Sequence, residues 1–189
     1  MDRPQLPPPL TPEAEKERAR FKAASETYLR SVQRIALSIL VWGPDPNRDS
    51  VVARKRREIR DTLLGLGHNA MFSEDISPKS KHLSLKSLEF AQAQAAHLII
   101  ILLEDSPGAV AEAHDFCNHP EIAPKVCVLI PRRYRRGYSA QGAIKDLENA
   151  HGGVYWYSDK DLTVCKVCAR VVNRAEALRY LRYRGGTSS

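Results

Sequence analysis

The stretch with the most chemical content runs His97-Leu-Ile-Ile-Ile-Leu-Leu-Glu-Asp-Ser-Pro-Gly-Ala-Val-Ala-Glu112. Ser106 suits a helix cap and Pro107 the first helical position, so Glu112 falls in the second turn of a helix that starts just after an apolar strand. Helical side chains lean toward the N-terminus of their helix, which aims a carboxylate at this position back at the rim where a ligand would sit. Gly108 leaves the backbone open there. The unpaired N–H groups of a first turn can hold a ribose hydroxyl or a phosphate. A pocket with an acid and donors results, and Glu112 is its candidate working carboxylate, against the plainer reading of an exposed helix acid.

Other reactive types are weaker candidates. Glu89 can supply a second carboxylate, although a solvated helix acid is the simpler reading. His114 and His119 can exchange protons near neutral pH, but both fall further along the helix of Glu112, away from the rim. Cys165-Lys-Val-Cys168 has metal or redox spacing, with His114-Asp-Phe-Cys117 as an imaginable second half. The helices that carry the two pairs should lie on opposite faces of a sheet. Cys165 and Cys168 share an apolar stripe with Val164, Val172, Ala175 and Leu178, so they read as buried helix thiols and no metal site is expected. The sequence holds no Walker loop, no Gly-x-Gly-x-x-Gly fingerprint, no nucleophile elbow and no His-Glu-x-x-His.

The elements that must position Glu112 follow from hydrophobic periodicity. Residues 1–12 hold five of the twelve prolines and read as a disordered leader. Thr11-Pro12-Glu13 opens an added helix over 13–34, whose Phe21, Ala24, Tyr28, Val32 and Ile35 form one narrow face that can dock on the domain or on a second copy. The α/β domain spans 35–184, followed by a flexible tail over 185–189. Its first strand, Ala36 to Trp42, is a continuous apolar run that stops at Gly43-Pro44-Asp45-Pro46. A helix from Ser50 to Leu66 carries Val52, Ile59, Leu63 and Leu66 and closes at Gly67. Strands then follow at Asn69 to Phe72, His97 to Leu103, Val126 to Ile130 and Val154 to Tyr157. Helices lie at about Ser84 to Gln94, from Ser106, at Ala140 to Asn149 and at Asp161 to Tyr183. This alternation predicts a flavodoxin-like α/β three-layer sandwich with a five-stranded parallel sheet in the order 2-1-3-4-5 and an extra N-terminal helix. Ligands in such sheets bind where the order reverses, between strands 1 and 3, which selects the loops Gly43 to Ser50 and Glu104 to Glu112.

On these residues the chain resembles the Toll/interleukin receptor (TIR) and nucleoside 2-deoxyribosyltransferase group of N-glycosidic bond enzymes, including TIR-like effectors of bacterial antiphage or toxin systems. Ser106-Pro107-Gly108-Ala109-Val110-Ala111-Glu112 carries the likeness. It extends more weakly from Ile35 to Tyr157, through Trp42-Gly43 and Phe72-Ser73-Glu74-Asp75. The resemblance implies cleavage of a ribose-to-base bond, in which positive charge develops on the sugar and Glu112, as the catalytic residue, stabilises it or attacks it to form a covalent intermediate. It further implies NAD or a related nucleotide as substrate rather than as cofactor. The products would be nicotinamide and ADP-ribose, or a cyclised or transferred form of it. Beside Glu112, substrate contacts are expected from Gly43, Pro44, Asp45, Asn47, Arg48, Ser73, Asp75, Ser106 and Gly108, with Glu74 on the same side as Ser73. The alternative reading is a non-catalytic TIR-like module that binds a nucleotide or assembles.

Composition bounds the partners. The chain has 189 residues, 43% of them apolar, and 29 basic against 22 acidic side chains. That suits one good core. No apolar run reaches the ~20 residues of a membrane span and no signal segment opens the chain, so a cytoplasmic protein with reduced thiols is expected. The excess base falls in three runs, Arg54 to Arg57, Arg132 to Arg136 and Arg179 to Arg184, which read first as solvated faces. Expected partners are a nucleotide substrate and either further copies of the chain or a partner effector protein. Nucleic acid on Arg132 to Arg136 stands behind these, because that run lacks the aromatic interleaving of an RNA-binding motif.

Overall fold

The structure, a computed structural model, describes residues 11–76, 84–104, 107–137 and 141–186, without the side chains at 107–109, 111, 112 and 186. Five strands, β1 (Ser38–Trp42), β2 (Asn69–Phe72), β3 (Leu98–Leu102), β4 (Val126–Pro131) and β5 (Val154–Tyr157), form one sheet in the order β2-β1-β3-β4-β5. Every pairing is parallel, with Val41 opposite Phe72 on one side and Ile100 on the other. The three-layer architecture and strand order expected from the alternation are those observed. β3 is buried along its whole length, as a parallel strand covered on both faces must be.

Successive strand residues point to opposite faces, and each face has its own core. Ile39, Val41, Ile100, Leu102 and Leu129 pack beneath α2 (Val51–Gly65), α7 (Asp159–Thr163) and α8 (Lys166–Gly186). Leu40, Trp42, Ile99, Ile101 and Val128 pack against α4 (Leu85–Ala95), α5 (Pro107–Cys117) and α6 (Ala143–His151). Ser50 and Ser84 cap α2 and α4 with their hydroxyls, and Gly67 takes the left-handed conformation just past α2. Cys117 and Cys168 lie in the two different cores, so the sheet separates the two cysteine pairs.

Three expectations need correction. The single closing helix is two: a reciprocal capping box between Ser158 and Asp161 starts α7 directly after β5, and an extended Val164 separates it from α8. The break turns Cys165 out to solvent, so of that pair Cys168 alone is a buried thiol. Leu66 is exposed beyond the last turn of α2. The added helix α1 (Pro12–Gln33) docks on α8 only through its last turns, where Val32 is buried and Tyr28 meets Tyr183 edge-on at 5.3 Å, while Phe21 stays 74% exposed. Among the described residues, no helix is long and apolar enough to cross a membrane.

Candidate functional site at the switch point

The organising residue of the switch point is Arg56, one turn into α2 and fully buried. Its Nε and Nη2 donate to the carbonyl of Val41 at 3.2 and 2.7 Å, and Nη1 donates to the carbonyls of Gly43 and Pro44 at 3.1 and 2.9 Å. Nη1 and Nη2 also grip the Glu74 carboxylate at 2.7 Å each, a bidentate pair, with the guanidinium 4.5 Å from the centroid of the Phe72 ring. One side chain thus ties the end of β1, its loop and α3 (Ser73–Ile76) together. Arg57 donates to the carbonyl of Pro46, and Asp45 accepts from the Asn47 amide at 2.9 Å, so the loop is fastened from below and folded on itself.

Beside this clamp lies a cleft of about 220 Å³ between β1, α3 and α4. Trp42 forms its floor, stacked on Phe116 of α5 at 4.3 Å, and Phe116 in turn meets Phe90 of α4 at 5.4 Å. Gly43 is required by close approach: a Cβ there would sit 2.8 Å from the Leu102 carbonyl oxygen. The polar lining comes from Ser73, Glu74, Glu89 and Gln92. The two glutamates differ in acidity. Burial pushes Glu74 up, but the Arg56 pair, a backbone hydrogen bond and Ser73 outweigh it and hold the carboxyl below its ordinary value. Burial also pushes Glu89 up, and the more distant charge of Lys86 only partly offsets it, so its acidity moves the other way. Gln92 donates weakly from Nε2 to the Ser73 carbonyl at 3.4 Å, and its buried Oε1 has no partner among the described residues. An amide with a spare acceptor at a cleft wall can accept a hydrogen bond from a base or a ribose.

The expected residues distribute unevenly around this cleft. Gly43 and Ser73 line it, and Pro44 stands behind it with its carbonyl on Arg56. Asp45, Asn47, Arg48 and Asp75 are exposed and do not line it. Ser106 lies outside the described residues. Gly108 and Glu112 are in α5, and Glu112 occupies the turn just before Phe116, the residue that supports the floor. His119 follows the end of α5 and packs edge-on against Phe90 at 5.3 Å. Arg56 and Gln92 escaped sequence reasoning. Arg56 sits among basic neighbours, yet it also falls in register with Val52, Ile59 and Leu63, and a charge on an apolar stripe is the signal that marks it.

A comparison with known families matches residues 54–183 to the model described as STM3845 retron effector protein. No curated protein matches the chain.

Proposed function

The chain belongs to the STM3845 retron effector family, which supports a role in antiphage defence, and we propose that it acts there by breaking the N-glycosidic bond of NAD or a related nucleotide. The observation that carries this reading is the switch-point cleft. There, two carboxylates shifted in opposite directions line a cleft whose Trp42 stacks on Phe116, one helical turn past Glu112 in α5. Divergent acidities within one site are how acid and base roles are divided. Glu74, clamped by Arg56, stays ionised and holds the rim in place. Glu89, whose proton affinity burial raises, is the better proton acceptor of the two and is suited to moving a proton.

In the proposed reaction the bond between ribose C1′ and the ring nitrogen breaks, and its electron pair leaves with neutral nicotinamide. The Glu112 carboxylate balances the cation left at C1′ or captures it. Water then bonds to C1′, breaking the C1′–Glu112 bond where one has formed and returning the carboxylate, and passes its proton to Glu89, giving ADP-ribose. With a substrate whose base leaves as an anion, Glu89 instead starts protonated and donates to the base. Gln92 and the Trp42 ring offer the base a hydrogen-bonding edge and an apolar surface. The same family membership supports a partner within the retron system.

A chromatographic assay of the purified chain tests this, at low and high protein concentration, with NAD and a panel of nucleosides and nucleotides. Free base should appear with wild type and be lost in Glu112→Gln. Equal inertness of both proteins, in the presence of the other retron components as well, would remove the reaction.

A further inference from the structure

A second cleft lies at the far edge of the sheet and is larger, about 630 Å³. It wraps the outer edge of β5, the last strand of the sheet, between the start of α8 and the turn that follows β4. Four cations line it, Arg132, Arg135, Lys166 and Arg170, against the single carboxylate of Asp161. That carboxylate is already engaged. Its Oδ2 accepts from the Ser158 amide at 2.8 Å and from the Ser158 hydroxyl at 2.7 Å, closing the capping box. Arg132 and Lys166 reach Asp161 only at 4.0 and 3.5 Å, and their side chains are 65% and 75% exposed, so the cleft keeps a strong positive excess.

Aromatic rings are interleaved with this charge. Tyr155 and Trp156 are adjacent on β5, so they project to opposite sides of the strand, and both are half-buried. Arg170 lies over Tyr155 and Arg135 over Trp156, 5.5 and 5.9 Å from the ring centroids. Lys166 and Arg170 are one turn apart on α8, about 6 Å along its axis, so they offer successive anchors to a chain of charges. Neither the cations nor the rings belong to the switch-point cleft.

We propose that this edge cleft binds single-stranded nucleic acid, with phosphates on Lys166, Arg170, Arg132 and Arg135 and unpaired bases against Tyr155 and Trp156. A row of cations beside half-buried rings at a strand edge is the combination that single strands need, because every base has a face to stack and every link a charge. A duplex keeps its bases inside and would leave the rings unused. An acidic peptide would use the charge alone.

Fluorescence anisotropy of a labelled twenty-nucleotide deoxythymidine strand on the full chain tests the proposal. Four phosphate contacts on a single strand give a salt dependence that weakens binding roughly fiftyfold between 50 and 200 mM salt. Lys166→Glu with Arg170→Glu, and separately Arg132→Glu with Arg135→Glu, should each weaken binding about tenfold or more at unchanged melting temperature, since these side chains are outside both cores. An abasic strand of equal length should bind about tenfold more weakly for want of stacking. Three results would overturn the proposal: no binding at 50 mM salt, binding indifferent to both double variants, or an abasic strand or polyglutamate that binds as tightly as the thymidine strand. The last would make the cleft a general polyanion site. None of these outcomes touches Glu112, so they are distinguishable from failure of the glycosidic reading.

Discussion

Two arginine runs that look alike in the sequence do opposite work in the fold. Arg54 to Arg57 lies in the first turns of α2, beside the end of β1 and its loop, where the carbonyls of Val41, Gly43 and Pro44 all accept from one side chain. Arg56 is drawn completely inside to supply them. Arg132 to Arg136 follows β4 next to the edge strand, where its neighbours are solvent, Trp156 and the cap of α7, and its side chains stay out. The role of a basic run is therefore set by the unsatisfied backbone within its reach rather than by its composition. Buried carbonyls make a guanidinium structural, and an open strand edge leaves it exposed, where a ligand can reach it.

The sharpest way to break this contrast is to remove the buried member. Arg56→Met strips donors from three carbonyls and leaves Glu74 unpaired, and it should lower unfolding stability by about 3 kcal/mol in urea titration. Arg135→Ala, by contrast, should stay within ~0.5 kcal/mol of wild type. If both cost the same, the division between structural and free arginines fails. Next in size is Gly43→Ala, whose Cβ would press on the Leu102 carbonyl. Backbone on both sides must give way, so a loss of about 2 kcal/mol is expected from thermal melting, and an unchanged melting temperature would mean the end of β1 is not held.

The smallest effect is a pH dependence at Glu89. Its folded-state pKa is raised above the ordinary carboxyl value by burial. The contribution of its protonated form to stability is thus complete below that ordinary value and is lost as pH rises through the raised one. Glu89→Gln removes the cost of ionising the group in the cleft. Its melting temperature should match wild type in acid and exceed it by a degree or two at neutral pH, on the order of a few tenths of a kcal/mol. A gain that is largest in acid has the wrong sign and would contradict the assignment of Glu89 as the proton-exchanging acid.

The strand order was legible because each parallel strand, covered on both faces, left an unbroken apolar run, with Ser50, Ser84 and Gly67 marking helix ends around it. The break between α7 and α8 was not, since Asp161 to Tyr183 keeps a helical pattern throughout. Only the Ser158–Asp161 capping box, a local hydrogen-bond choice, restarts the chain earlier and leaves Val164 extended. The site was legible in location but not in membership. Loop residues such as Asp45, Asn47 and Arg48 look ligand-like by type, yet Asp45 spends its oxygens on the turn itself. Arg56 and Arg179 look like surface charge, yet each stands in register with an apolar stripe. Arg179 is buried with His68, donating from Nη2 to the Leu66 carbonyl at 2.6 Å. Periodicity carries that information, and residue type conceals it.

The central claim, that chemistry belongs to the switch point and the β5 edge serves recognition, is tested most directly by measuring base release from NAD by three proteins side by side: wild type, Glu112→Gln, and Lys166→Glu with Arg170→Glu. The account predicts that release is abolished in Glu112→Gln and retained, per folded molecule, in the edge-cleft variant. Release that survives in Glu112→Gln, or that disappears only when the edge cleft is reversed, would contradict it.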